Sequence, residues 1–169
     1  MALPRTLKNM NVFHDGVSHV GQISEVELPK LTRKTDEFRG GGMDGGVEID
    51  LGQEKIEMPL SYGGLMREML QQYGIANISG VLVRFAGAYQ RDDSGTVDAV
   101  EVIARGRWKE IDPGKAKPGD KSEFKATLAC TYYKLSVNNV VDVEIDLVNM
   151  VFVSGGVDRL ADQRRAIGL

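Results

Sequence analysis

The sequence contains few of the residues from which catalytic, redox and metal sites are usually built. Its 169 residues include one cysteine, Cys130, and two histidines, His14 and His19. A single cysteine cannot form an intramolecular disulfide, and the apolar neighbours of Cys130 predict a buried thiol. Asp15 lies between the histidines, but zinc needs three or four convergent ligands, so we interpret both histidines as exposed loop residues.

Long apolar segments and clusters of positive charge are also lacking. No run approaches the ~20 apolar residues of a membrane-spanning helix, and Met1–Asn11 has no apolar stretch of the ~7–15 residues found in a secretory signal. We therefore expect synthesis in the cytoplasm and no membrane partner. The net charge of −3, without clustered lysine or arginine, argues against a surface that retains nucleic acid through its phosphates.

Motifs for nucleotide binding and nucleophilic catalysis are absent or lack their context. Gly40, Gly42 and Gly45 have the spacing of a dinucleotide-binding loop, but no strand precedes them and no helix follows. The sequence has no Gly-Lys-Ser or Gly-Lys-Thr for a phosphate-binding loop and no Gly-x-Ser-x-Gly for a nucleophilic serine. We predict that the protein is not an enzyme and has no cofactor or metal site.

Alternating apolar and polar residues indicate mainly antiparallel β structure in a single domain, residues 1–169. Val81–Tyr89 and Ala99–Arg105 flank turn-forming residues and predict a first long hairpin. Glu123–Leu135 and Val141–Leu147, joined by two asparagines, predict a second one. Two long hairpins in one domain favour an antiparallel sandwich or barrel.

The last strand of the second hairpin alternates strictly. The apolar side chains predicted to face the core are Val141, Val143, Ile145 and Leu147, and the carboxylates predicted on the other face are Asp142, Glu144 and Asp146. Side chains two residues apart on a strand are ~6.6 Å apart at a rise of ~3.3 Å per residue, too far for one metal ion without further ligands. We therefore expect a solvated acidic stripe. Alternation defines two faces without saying what each one meets.

One segment has clear helical periodicity. Leu65–Tyr73 places apolar residues on one side and polar residues on the other, and Gly74 follows where a helix would end. We predict that this apolar stripe packs in the core. Val17–Leu31 predicts one or two short strands, and Val157–Ile167 has weak helical character. The predicted fold is therefore a β-sandwich or barrel with two long hairpins and one flanking α-helix.

Residues 32–46 are polar and glycine-rich, which predicts a flexible arm or loop without regular structure. Compact domains seldom carry a structureless loop of ~15 residues unless it is functional or becomes ordered on a partner. Long hairpins also expose edges that recruit other chains, and copies that pair such edges around a ring would enclose a channel. The arm and the C-terminal segment, 155–169, would then supply contacts between stacked rings.

Six motifs occur in one order over nearly the whole chain. They are Leu3–Phe13, Leu28–Leu31, Phe38–Met43, Lys109–Gly114, Tyr132–Leu135 and Asn149–Leu160. Together they resemble the major tail tube proteins of contractile-tailed bacteriophages and of phage-tail-like bacteriocins. The resemblance implies a structural subunit of hexameric rings, stacked as the inner tube of a contractile tail within a sheath.

The resemblance also implies partners, a location and contact residues. The expected partners are the sheath, baseplate or initiator proteins and a tape-measure protein, and double-stranded DNA would pass through without specific binding. The location would be the virion tail tube, assembled in the cytoplasm of the host bacterium. The residues expected at subunit and ring contacts are Glu37, Phe38, Arg39, Gly40, Gly41, Gly42, Met43, Asp158, Arg159 and Arg164. The candidates for the lumen are Asp142, Glu144 and Asp146, because an acidic channel would not retain phosphates.

Two alternatives remain open from the sequence. One is the ring-forming tube protein of a type VI secretion system, which is similar in fold. The other is a monomeric β-rich module that binds a small molecule or carbohydrate. Such a module should offer clustered exposed aromatics, whereas Trp108 and Tyr89 are predicted to pack in the interior.

Overall fold

Antiparallel strands make up most of the protein, as the alternation predicts. The computed structural model describes residues 1–169. The strands are β1 (Arg5–His14), β2 (Val17–Ser18), β3 (Ile23–Val26), β4 (Arg33–Phe38), β5 (Val47–Gln53), β6 (Ile56–Tyr62), β7 (Val81–Arg91), β8 (Val97–Asp112), β9 (Phe124–Val137), β10 (Val140–Asp146), β11 (Val151–Ser154) and β12 (Val157–Asp158), and the helices are α1 (Arg67–Gln72) and α2 (Ala161–Ala166).

Ten of the strands form one sheet, in which the main path runs β12-β11-β10-β9-β8-β7-β1-β2. The first half of β9 also pairs with β6, and its second half pairs with β10. Strand β3 pairs with β6, while β4 and β5 form a separate two-stranded sheet. The two long hairpins, β7–β8 and β9–β10, therefore lie side by side, with β1 next to β7.

Both predicted hairpins are confirmed. Strands β7 and β8 pair from Val81 opposite Gly106 to Gln90 opposite Val97. The second hairpin turns at Asn138 and Asn139, whose φ angles are +49° and +65°. Asparagine suits this turn because its short polar side chain tolerates left-handed backbone better than most residues.

The alternation of β10 is interrupted by a bulge that the sequence does not reveal. Pairing with β9 shifts between Val141 and Val143, which leaves Asp142 without a partner. Ile145 is 3% exposed and Val143 packs against the core, as predicted. Val141 and Leu147 are exposed, so their prediction as core residues is wrong. The bulge moves Val141 to the other face, and Leu147 lies beyond the end of the strand.

The core is a single cluster of 19 buried hydrophobic residues. Strand β6 buries every second residue, from Ile56 to Tyr62, against Phe85 and Val102 of the first hairpin. Trp108 is 4% exposed, which confirms that it packs in the interior. Cys130 is also buried, and burial raises the pKa of its thiol to about 12.

Helix α1 is shorter than predicted, and only part of its apolar stripe is buried. Met66 and Met69 belong to the core, but Leu65, Leu70 and Tyr73 are exposed. A helix of six residues makes fewer than two turns, so only residues one turn apart reach the core.

The N-terminal region corrects two sequence interpretations. Sequence analysis assigns no strand there, yet β1 pairs with β7 along its length. His14 and His19 are each 3% exposed, so they are not exposed loop residues. His14 Nε2 donates to Gln72 Oε1 at 2.7 Å, and His19 Nδ1 donates to Gln22 Oε1 at 2.9 Å. These amide oxygens give each buried ring a polar partner, as buried polar groups require.

Candidate assembly surfaces

Residues 32–46 contain strand β4 and the turn that follows it, instead of the predicted structureless loop. Strand β4 pairs with β5 from Arg33 opposite Gln53 to Phe38 opposite Val47. The polar sequence of β4 has no strand pattern of its own, so its structure depends on pairing with β5. We call this β4–β5 hairpin the arm.

The arm exposes large apolar side chains along its length. Phe38, Val47, Ile49 and Leu51 are exposed, at 54%, 49%, 45% and 55% respectively. Phe38 is the direct partner of Val47, and Ile49 lies two residues further along β5, so these three share one face. An isolated two-stranded hairpin is at best marginally stable in water, and a contiguous exposed apolar surface marks an interaction site.

The tip of the arm is an ordered turn that carries most of the predicted contact residues. The Met43 N–H donates to the Gly40 carbonyl at 3.2 Å, and Arg39 Nε donates to the Met43 carbonyl at 3.3 Å. Gly42 has a φ of +85°, which glycine adopts without steric cost. The structure thus brings Glu37 at the end of β4 together with Arg39–Met43 at one end of the arm.

Arg33 anchors the base of the arm to the main sheet. Its Nε donates to Asp50 Oδ2 at 2.9 Å, and its guanidinium lies 5.3 Å from the centroid of the Phe152 ring. The hydrogen bond from Arg33, with a second from the Gly52 N–H, lowers the pKa of Asp50. A groove of about 560 Å³ lies between the arm, β10–β11 and α2, and its lining includes Leu51, Ile145, Phe152, Leu160 and Gln163.

Two of the three predicted C-terminal contact residues bind each other. Arg164 forms a short ion pair with Asp158, and its Nη1 also donates to the Met150 carbonyl at 2.7 Å. The hydrogen bond between the side chains lowers the pKa of Asp158 and raises that of Arg164. Arg159 is the exposed member of the three. Asp158 and Arg164 therefore hold α2 against β11 and β12.

The predicted acidic stripe is not continuous, because each carboxylate has a different environment. Glu144 accepts a hydrogen bond of 2.8 Å from the Tyr132 hydroxyl. Burial, helped by this hydrogen bond, raises the pKa of Tyr132 to about 12. Asp146 Oδ1 accepts the backbone N–H groups of Val148 and Asn149 at 3.0 Å each, which stabilises the turn after β10. Asp142 lies in the exposed bulge.

The large sheet has free strand segments on both sides of the long hairpins. Strand β1 pairs with β7 throughout but with β2 only at Phe13 and His14, so its outer edge is free from Arg5 to Asn11. On the other side, β11 pairs with β10 from Val143 onward and the Gly155 N–H donates to the Asp142 carbonyl at 2.9 Å, which leaves Val140 and Val141 of β10 free. Unpaired strand edges are templates for pairing with another chain.

A buried carboxylate that sequence analysis does not single out connects the two hairpin tips. Asp98 is 6% exposed, forms an ion pair with Arg5 of β1, and accepts a hydrogen bond of 2.9 Å from Asn138 Nδ2. Lys8 and Asp92, 2.9 Å apart, join β1 to the first turn. The residues that pair with each other in this network lie far apart in the sequence, so no local pattern reveals it.

Other kinds of site find little support in the geometry. The structure contains no helix of the length and apolar character needed to cross a membrane. It also contains no group of three or more histidine, cysteine, aspartate or glutamate residues placed to hold a metal ion. The free edges and the apolar arm are features of a β-rich structural protein that assembles with other chains.

Comparisons with known proteins identify which structural proteins it resembles. The family model described as phage tail tube protein FII matches residues 4–168. The tail tube protein of Escherichia phage P2 is 47% identical over 172 residues, which covers 100% of both chains. The major tail tube protein of Serratia phage KSP20 is 39% identical over 165 residues, 96% of this chain and 95% of that protein.

Solved structures of contractile injection systems share the fold. The sheath/tube terminator of an extracellular contractile injection system in its extended state has a TM-score of 0.61 at 10% identity, covering 79% of this chain and 96% of that one. A chain of the sheath-tube complex of such a system has a TM-score of 0.58 at 11% identity, covering 79% and 91% respectively.

The chain belongs to the phage tail tube protein FII family. It is a structural protein of a contractile phage tail and not an enzyme, which confirms the resemblance drawn from the sequence motifs. The structural neighbours also confirm the tube-like antiparallel β fold.

Proposed function

We propose that copies of this chain form closed rings in which the free edge of β1 in one copy meets the free edge of β10 in the next. The observation that carries this proposal is the presence of an uncovered edge on each side of the same pair of long hairpins. Because the two edges differ, the contact is heterologous, and a heterologous contact closes into a ring when its rotation permits. A closed ring pairs both of these edges.

The resemblance to tail tube proteins supports six copies per ring. Four antiparallel steps separate β10 from β1 in the sheet, so the two strands run in the same direction. When neighbouring copies share one orientation around the ring axis, β1 of one copy and β10 of the next therefore pair as parallel strands.

The distribution of mass supports one face of the sheet as the lining of the lumen. Met69 of α1 lies in the core, and Gln163 of α2 and Leu51 of the arm share a groove with Ile145, whose side chain points to the core. Both helices and the arm base therefore lie on the core side of the long hairpins. A ring has more room at a larger radius, so the helices and the arm base fit on its outside. The opposite, uncovered face of the sheet then lies on the inside.

The arm supplies the contact between stacked rings. Its apolar face, with Phe38, Val47 and Ile49 about half exposed, becomes buried when a neighbouring subunit covers it. Residues Glu37–Met43 at the tip and the exposed Arg159 make contacts between neighbouring subunits and rings. Asp158 and Arg164 contribute by holding the C-terminal segment in place.

The assembled tube serves as the conduit for double-stranded DNA. The sheath surrounds it, baseplate or initiator proteins start its assembly, and a tape-measure protein accompanies its growth. Assembly takes place in the cytoplasm of the host bacterium, and the finished tube resides in the virion tail. Membership in the tail tube family supports these partners and this location, because a contractile tail requires them.

Charged substitution of the free β10 edge tests ring closure. Val140 and Val141 are 64% and 36% exposed, so replacing both by lysine leaves the core intact but places charge on the edge. We expect a folded protein with an unchanged melting temperature that forms neither rings nor tubes in negative-stain electron microscopy.

The control is Val20→Lys, which makes one valine-to-lysine substitution at a position that is 67% exposed and outside both edges. This variant should form tubes like the unsubstituted protein. Rings that form equally well from the edge variant and the control would contradict the proposed closure.

A further inference from the structure

Where the two long hairpins lie side by side, the uncovered sheet face carries equal numbers of basic and acidic side chains. Residues on this face alternate with the buried Val83, Phe85, Val102, Tyr133 and Ile145. Its charged members in this part, which ends at Arg105 on β8, are Arg84, Glu101, Arg105, Lys134, Glu144 and Asp146. Further along β8, Arg107 continues the alternation outside this part. Three cations and three carboxylates give a sum of zero, with the bulged Asp142 left out of the count. An acidic lumen is therefore not what this face offers.

Arg84 is held away from any ligand by two contacts on this face. Its Nε donates to Glu101 Oε2 at 2.6 Å, across the β7–β8 pair. Its guanidinium also lies 4.8 Å from the centroid of the Phe13 ring on β1. A guanidinium bound to a carboxylate and stacked on an aromatic ring has few donors left for a phosphate.

Lys134 has a carboxylate directly across from it. Glu144 is its partner in the β9–β10 register, and opposite residues in an antiparallel pair have Cβ atoms about 4.5–5.5 Å apart. Beyond this row, at the hairpin tip, Lys8 and Arg91 pair with Asp92 and Asp93 at 2.9 Å each. Several basic side chains on or near this face thus have a carboxylate as a neighbour.

We propose that this face is charge-compensated toward a polyanion, with Glu101 and Glu144 neutralising Arg84 and Lys134 so that duplex DNA passes without being retained. The inference rests on the proposed function, because it requires this face to line the tube. Its physical basis is counterion release: each free cation that contacts a phosphate adds affinity, and a paired cation adds far less. The carboxylates therefore act by occupying cations, not by making the channel acidic.

The test measures how strongly assembled tubes bind a duplex oligonucleotide between 50 and 200 mM NaCl, with Glu101→Gln as the variant. Two additional contacts between Arg84 side chains and phosphates would make the slope of log K against log salt more negative by about 1.8. Between 50 and 200 mM NaCl, the affinity would then fall about twelvefold more than it does for the unsubstituted tube. The bound duplex should be protected from nuclease, because it lies inside the tube. The double variant Arg84→Gln with Glu101→Gln should return binding to the original level.

Asp162→Asn is the matched control, since it frees Arg165 on α2, which lies on the core side and therefore outside the tube. Glu144→Gln, which removes the carboxylate opposite Lys134, is an independent second variant should Glu101→Gln not assemble. Intact tubes of either variant with unchanged affinity and salt dependence would overturn the proposal. Gained binding that remains nuclease-sensitive would overturn the assignment of this face to the lumen. Absence of tubes even from the unsubstituted chain would instead count against the proposed function.

Discussion

The same substitution at two isoleucines should separate assembly from folding. Ile49 on the arm is 45% exposed, whereas Ile145 on β10 is 3% exposed and packs in the core. Replacing either by alanine removes the same three carbon atoms. Only the environment differs, so any difference in outcome reports what surrounds each side chain in the subunit and in the tube.

Ile145→Ala should mainly affect the stability of the subunit, whereas Ile49→Ala should mainly affect tube formation. Ile145→Ala creates a cavity and should cost about 2–5 kcal/mol in the free energy of unfolding, which corresponds to about 4–20 °C in melting temperature. Ile49→Ala should change stability by less than about 0.5 kcal/mol, because the site is on the surface. Burying the exposed part of three carbons in a ring contact is worth about 1 kcal/mol. Loss of that contact should raise the critical concentration for tube formation about fivefold.

Thermal unfolding monitored by circular dichroism measures the first quantity, and sedimentation of tubes over a concentration series measures the second. An Ile49→Ala protein that melts as early as Ile145→Ala would show that the arm is part of the folding core. An Ile49→Ala protein that assembles at the unsubstituted critical concentration would show that the apolar arm face is not buried in the tube.

Three further outcomes are expected. Replacing Gly40–Gly46 by a two-residue Asn-Gly turn should leave a folded protein that forms rings or short stacks but no long tubes in electron micrographs, and normal tubes would contradict the role of the arm tip. Asp98→Ala should lower the free energy of unfolding by about 1–3 kcal/mol, because it removes the hydrogen bond and the ion pair that a charged group accepts from Asn138 and Arg5, and a double-mutant cycle with Arg5→Ala should show coupling that vanishes if the ion pair is unimportant. The lowered pKa of Asp158 means that its contribution to stability is present above its unfolded-state pKa of about 3.9 and is lost as pH falls through the lower folded value. The protection factors of the α2 amides should therefore fall below pH 4, and Arg164→Gln should remove most of that pH dependence.

Local chemistry made the long hairpins predictable. The turn residues Asn138 and Asn139 adopt the positive φ angles that their short polar side chains allow, and the flanking strands alternate over enough residues to define a buried face. The family resemblance was predictable for a different reason, since several motifs keep their order along the chain. The class of protein follows from these two observations.

Features that depend on distant partners could not be predicted. Strand β4 is polar throughout and forms only because β5 pairs with it, and β1 is recognisable only once β7 lies beside it. The burial of His14 depends on Gln72 from α1. The bulge at Asp142 divides an alternation that looks continuous in the sequence.

The sequence by itself determined the β-rich class, the positions of both hairpins and the membership in a tail tube family, because turn chemistry, alternation and motif order are local properties. Only the tertiary structure decided which apolar residues remain exposed, which sheet edges stay free and which charges lie side by side. Val47 and Ile49 show the pattern of a buried face, yet the arm leaves them uncovered. Burial and pairing depend on which elements the fold brings together, and a period-two pattern records only that a face is apolar.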